Sequence, residues 1–403
     1  MTWACTVQKQ PNSINYSGLY NSSFSDPQFK IYHFSSDSSL FYFSFTNSDL
    51  LFKKDEAGLS KAGFSLNYTL YISYNSSVIL DSAAVIQTIN YDSSGTGYTG
   101  AIKFKASLGK DYILKIIFRD LNRNLFNTYT FNVKKTNLLN SQFFDLRYKD
   151  DQPIMENFIA INQKVKIIPP ENTPDSFFVR CYFRQFPLAA PPFSENRTIT
   201  FDYSADKIYT IKKSSLNNIE FKREGFYQLN FDTITKNGFT VFCFNDNFPQ
   251  FTMPEHLIES LRYLCTREEY NDLLSKNDKK KALDDYWLVK AGNNERGRKL
   301  IKVYYNRSSS ANKLFTSFLE GWKTDRGMIY IVFGPPKYVF RNNKSEIWKY
   351  TYSAGIPDIQ FIFNKVKNPF SDNDFELERS LNYKYPWYQA VNAWRTGNII
   401  GDY

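Results

Sequence analysis

The chain has 403 residues, of which 42% are hydrophobic and 22% charged, values of a multidomain globular protein that exclude wholesale disorder and a fibrous repeat. Fifty Lys and Arg against 40 Asp and Glu give a surplus of +10, which is spread along the chain and forms no basic block. No apolar run is long enough for a bilayer-spanning helix; two histidines are present, and 37 Phe with 29 Tyr raise the aromatic share to 18%.

Residues 1–23 read as an N-terminal tether. Cys5 follows Thr2-Trp3-Ala4, and a small residue directly before a near-terminal cysteine is the pattern left by cleavage of a lipoprotein signal. Cys5 is therefore a candidate lipid-attachment site, although the charged and apolar regions of a signal peptide are missing from the sequence. The four cysteines contain no Cys-x-x-Cys pair, so zinc and dithiol motifs have no support. Cys181 and Cys243 lie in alternating apolar strands and read as buried thiols, with a disulfide between them as the alternative.

Residues 24–137 read as a first β-sandwich. Phe64, Leu66, Tyr68, Leu70 and Ile72 alternate with polar or smaller side chains, the period of a half-buried strand. Similar alternation returns at Ile102 to Ala106, Tyr112 to Phe118 and Tyr129 to Val133, and Ser94 to Gly97 and Asp120 to Asn124 supply turn residues between the runs. The pattern predicts an immunoglobulin-like sandwich. Residues 138–250 continue as β and predict a second one. Within it, Phe186-Pro-Leu-Ala-Ala-Pro-Pro-Phe193 cannot donate a regular ladder of hydrogen bonds, so it must be a stiff loop or run along an edge. It either packs on its own domain or meets a partner.

Residues 251–320 change to helical periodicity. Thr252 with Glu255 and Thr266 with Glu269 form capping boxes. A helix is predicted from Asp278 to Ala291 with Gly292 as its cap, another from Asn293 or Asn294 toward Arg307, and a further turn or two to Glu320. Residues 321–403 mix helix and strand into an α/β unit: Met328 to Phe333 is continuously apolar and reads as a covered strand, with further strands at Glu346–Tyr350 and Ile359–Phe363 and a helix at Pro386–Arg395. Five of the six tryptophans lie in or after the helix at Trp287.

The chemistry available is narrow. A Ser-His-Asp or Cys-His site needs a histidine base, and His33 and His256 sit in a strand and beside an apolar helix stripe. The acidic run Asp372 to Glu378 lacks the spacing and glycine of a calcium loop, no nucleotide loop appears, and no cofactor is implied. No RNA-binding or helix-turn-helix signature is present, so nucleic acid is not an expected partner. Asp284, Asp285, Glu320 and Asp325 could supply paired carboxylates, and tryptophans beside acids leave a glycan- or peptidoglycan-binding or -hydrolysing protein as the alternative reading.

The most informative stretch is Gly321-Trp322-Lys323-Thr324-Asp325-Arg326-Gly327. Gly321 can end the preceding helix in the left-handed conformation, Trp322 can lock the corner, Thr324 and Asp325 can hold the turn backbone, and Gly334-Pro335-Pro336 stops the strand. This segment, with Asp284-Asp285-Tyr286-Trp287, Tyr304-Tyr305-Asn306-Arg307, Ala311-Asn312, Asn368-Pro369-Phe370 and Asp372-Asn373-Asp374, resembles the GWxTD-domain proteins of Bacteroidota over about residues 253–397. The resemblance implies an exported cell-envelope protein, often lipidated, whose domain has no established activity and no catalytic residues to carry over. The expectation is a non-enzymatic lipoprotein on the periplasmic side of the outer membrane, tethered through Cys5. It would serve as an accessory or scaffold subunit of a β-barrel assembly or type IX secretion complex. Gly321, Trp322, Thr324, Asp325 and Arg326 would organise the interface.

Overall fold

A computed structural model describes residues 15–20, 26–95, 97–195, 202–245, 247–351 and 358–401. Cys5 lies outside the described residues. The first β region comprises β1 (Gln28–Tyr32), β2 (Ser38–Phe45), β3 (Lys53–Lys54), β4 (Ser60–Tyr71), β5 (Ile79–Asn90), β6 (Tyr98–Lys105), β7 (Asp111–Asp120) and β8 (Leu125–Lys134). One sheet has the order β1-β2-β6; in the other, β4 pairs with β3, β5 and β7, and β7 with β8. The chain crosses between sheets after β2, β5 and β6, the Greek-key connectivity of an immunoglobulin-like sandwich. Phe64, Leu66, Tyr68 and Leu70 point into the shared core, as their alternation predicts, facing Phe41 and Phe104 of the other sheet, whereas Ile72 falls beyond the strand and is exposed.

His33 is built into this sandwich as a neutral ring. Its Nε2 lies 3.0 Å from the carbonyl of Lys134, which can only accept, so Nε2 carries the proton and Nδ1 accepts from the Ser39 hydroxyl at 2.8 Å. Burial, with the buried ammonium of Lys135 nearby, lowers the His33 pKa from its ordinary 6.5 to about 4. The unfolded chain therefore takes up a proton that the folded chain refuses. Stability is expected to fall by about 3 kcal/mol as pH drops from roughly 6.5 to 4; in His33→Gln that limb of the urea-denaturation pH profile should vanish.

The second β region has β9 (Asp145–Arg147), β10 (Phe158–Ala160), β11 (Lys166–Ile168), β12 (Ser176–Tyr182), β13 (Lys207–Lys212), β14 (Gly225–Asn230) and β15 (Phe239–Phe244). A five-stranded sheet, β10-β15-β14-β12-β13, packs against the β9-β11 ribbon over a common core. The β10-β15 pair is parallel, a mixed pairing that the alternation within single strands could not disclose. Cys181 and Cys243 are free buried thiols in this core.

Among the described residues six α-helices follow: α1 (Pro254–Ser260), α2 (Arg267–Ser275), α3 (Lys279–Ala291), α4 (Asn294–Phe315), α5 (Asp325–Phe333) and α6 (Lys384–Arg395). Thr266 and Glu269 form the predicted capping box, Asp278 caps α3, and Gly292 closes it at φ 75°. The Thr252 box does not form; Met253 occupies the cap position and Pro254 opens α1. The four-stranded sheet β16 (Tyr338–Arg341), β17 (Ser345–Tyr350), β18 (Ile359–Lys365) and β19 (Phe375–Leu377) is antiparallel throughout. Helices and sheet bury one continuous core, so residues 251–320 and 321–401 pack as a unit.

Two local expectations are corrected here. Met328 to Phe333 is not a strand: Thr324 caps α5 and Gly334, at φ 85°, ends it. Every residue of this helix is buried, so no polar face interrupts the apolar run. Residues 15–20, expected within the tether, plug into the last domain instead. Tyr16 N–H donates to Val339 O at 2.8 Å, and Tyr20 O accepts from the Tyr330 hydroxyl at 3.0 Å.

Candidate functional site

The segment Gly321–Gly327 turns the chain from α4 into α5. Gly321 opens a 3-10 turn, Gly321–Lys323, that lies flush on α4: a Cβ at Gly321 would meet Ala311 O at 1.8 Å, and one at Gly327 would meet Gly321 O at 1.9 Å. Gly321 thus serves close backbone approach and not a left-handed helix end, since α4 has already stopped at Phe315. The turn is held from both sides. Asn312 Oδ1 accepts from Trp322 N–H at 3.1 Å, and Thr316 Oγ1 accepts from Gly321 N–H at 2.9 Å. Thr324 Oγ1 donates to Gly321 O at 2.7 Å and accepts from Gly327 N–H at 3.1 Å, which starts α5.

Trp322 is 4% exposed, with its ring edge-on to Phe251 and Tyr263, and its carbonyl accepts from the Tyr263 hydroxyl at 2.8 Å. Asp325 begins α5, where a carboxylate is favoured by the helix dipole, and both of its oxygens are taken. Arg379 grips it bidentately at 2.6 and 3.2 Å, and Leu377 N–H donates at 2.8 Å. Burial pushes the Asp325 carboxyl up, and Arg379 with the Leu377 amide pulls against that rise. Arg379 also donates to Ala190 O, and Ala189 N–H donates to Lys323 O, so the Pro-rich loop 186–193 is strapped along the turn.

Arg326 points away from Asp325, into a second buried cluster. Glu346 there receives Arg341 at 3.0 Å, Arg326 at 3.4 Å, the Tyr20 hydroxyl at 2.6 Å and Trp348 Nε1 at 3.2 Å. Burial alone would raise the Glu346 carboxyl; Arg341 and Arg326 reverse this, and it titrates below the ordinary value of 4.5. Arg326 further donates to Asn373 O and Oδ1 and stacks on the Phe375 ring at 4.1 Å.

The structure therefore brings Gly321, Trp322, Thr324 and Asp325 together and directs Arg326 to a separate layer. Trp322 and Asp325 present almost no surface, and their polar groups act on the chain itself. Of the other carboxylates considered, Asp284 pairs with Lys280 and Glu320 with Lys323. Trp287, Trp348, Trp387 and Trp394 are buried like Trp322, so none offers a face on which a sugar could stack. Arg379, Glu346, Arg341 and Tyr20 were not singled out by the sequence, because no local spacing links them to the motif. Asn312 and Asn373 stood among the family-like segments. Among the described residues no group of three or more His, Cys, Asp or Glu side chains is placed to hold a metal ion.

The family model of the GWxTD domain matches residues 225–396. The match begins in β14, upstream of residue 321, and so takes in the last two strands of the second β region with the helices and the four-stranded sheet. No curated protein matches the chain. The glycine-packed turn, its tryptophan and its arginine-gripped aspartate are the segment after which that domain is named, and the chain carries a GWxTD domain over residues 225–396.

Proposed function

We propose that the protein is a non-enzymatic cell-envelope lipoprotein, anchored at the outer membrane through Cys5. It acts as an accessory or scaffold subunit of an outer-membrane complex such as the β-barrel assembly or type IX secretion machinery. Compartment and host rest on the family resemblance. The observation that carries the scaffold role is β5. This 12-residue strand pairs with β4 along its length and with no other strand among the described residues. It exposes Ile79, Leu80 and Ile86, the last at 72%, and holds one charge, Asp81. The register shifts at Leu80 near the start of the strand, and no lysine or proline blunts the rest of the edge, as natural sheets do where no partner covers it. Consumption of the motif's polar groups in internal contacts supports a structural reading of the domain behind it.

The test is gentle solubilisation of envelopes followed by affinity recovery. The wild-type chain is expected in a stable complex with a barrel protein. Ile86→Lys should reduce recovered partner by about tenfold or more while shifting folding stability by no more than about 0.5 kcal/mol, because the side chain is exposed. Recovery of wild type only as a free monomer contradicts the proposal.

A further inference from the structure

A cavity of about 880 Å³ opens where the first sandwich, the β14-β15 connection and the four-stranded sheet meet. Five lysines line it, Lys134, Lys236, Lys344, Lys365 and Lys367, against two carboxylates, Asp111 and Asp372. Both carboxylates are already engaged. Asp372 pairs with Lys134 and accepts from Asn140 Nδ2, while Asp111 accepts from Lys135 N–H and the Thr136 hydroxyl. Lys236, Lys344, Lys365 and Lys367 form no ion pair among the described residues; Lys236 Nζ rests over the Tyr203 ring at 4.2 Å. Lys365 is half-buried, and burial, together with Lys134 close by, lowers the affinity of its amine for a proton.

Three separately built layers thus converge lysines on one hollow without supplying the counter-charge, an arrangement that costs free energy until an anion enters. Ammonium groups are compact point charges with three donors each, suited to tetrahedral oxyanions approached from several directions. Five asparagines share the lining, and an amide NH2 can donate to further phosphate oxygens. The volume is that of a site for a whole small molecule and exceeds what a single ion needs. We propose that this cavity binds an organic ligand through one or more phosphate groups, either free in solution or as the headgroup of an anionic lipid.

The test titrates the full chain with phytate and with myo-inositol at about 50 mM salt, where charge pairing is weakly screened. In parallel, sedimentation measures retention on phosphatidylcholine vesicles with and without phosphatidic acid. Lys344 and Lys367 are exposed, so the double variant K344E/K367E keeps its fold, checked by an unchanged melting temperature. The control, K53E/K54E, makes the same change in net charge on β3. That strand lies beside the Asp120 end of β7, about 30 Å of strand from Asp111.

Phytate is expected to bind at one per chain and myo-inositol not at all. K344E/K367E should weaken phytate about a hundredfold, tenfold for each charged contact, and K53E/K54E by no more than about threefold. Retention on phosphatidic acid vesicles that K344E/K367E abolishes assigns a lipid source; phytate binding without vesicle retention assigns a soluble one. The proposal is overturned if neither probe binds at about 1 mM, or if both double variants weaken binding equally.

Discussion

Replacement of Glu346 by alanine is expected to destabilise the fold by about 3–5 kcal/mol, the cost of leaving buried cations without their anion. Glu346 is fully buried and is the common acceptor of Arg326, Arg341, Tyr20 and Trp348. Its loss leaves two guanidinium groups facing each other in a water-poor layer. Glu346→Gln should cost less than alanine, because the amide oxygen still accepts from Tyr20 and Trp348. The acid limb follows the same group. A carboxylate whose folded pKa lies below 4.5 contributes stability that is fully present above that unfolded value and is lost as pH falls toward the folded one. Urea denaturation carried below pH 4.5 should show this loss in wild type on top of the His33 limb, and the His33 limb alone in Glu346→Ala. A change under about 1 kcal/mol at neutral pH would mean that the cluster is hydrated and contributes little.

The second large effect is expected at Gly321. Its missing Cβ leaves room for the carbonyl of Ala311, and all three nearest atoms, Ala311 O, Ala311 C and Asn312 Cα, belong to the backbone of α4. No side-chain rotation can relieve Gly321→Ala. The 3-10 turn must lift from the helix, which breaks the hydrogen bonds of Gly321 and Trp322 to Thr316 and Asn312 and opens the packing around Trp322. A loss of about 3–5 kcal/mol or outright failure to fold is expected. Gly297 supplies the control within the same helix. A Cβ there would meet nothing closer than Ala291 Cβ at 3.7 Å, so Gly297→Ala should stabilise by about 0.5–1 kcal/mol through helix propensity. The opposite signs of the same substitution, one in the turn against α4 and one within α4, separate contact from propensity, and thermal unfolding of the two variants reads them directly.

The strands of the first sandwich were legible because one face of each meets the core and the other meets solvent, which writes the period of two into the residues themselves. Met328–Phe333 failed that test for the opposite reason: a helix buried on all sides carries no period, and only Thr324 and Gly334 at its ends betray it. The caps of α2 and α3 could be read from their own residues, since capping partners lie three positions apart. The need for Gly321 could not, because the atom it makes room for belongs to a helix ten residues earlier. The motif itself was visible as a block. Its partners Arg379, Glu346 and Tyr20 were not, for they arrive from 54, 20 and 306 residues away, and nothing in linear spacing ties an aspartate to one arginine among many.

The central claim is that the Trp-Thr-Asp turn serves architecture, through a carboxylate whose oxygens are spent on Arg379 and Leu377. The most direct measurement is the melting curve of Asp325→Asn, taken beside the amount of partner it recovers from intact envelopes. The account predicts a lowered melting temperature, with partner recovery falling only as the folded fraction falls. An unmoved melting curve with recovery abolished, or with a turnover lost, would make Asp325 a working group and contradict the account.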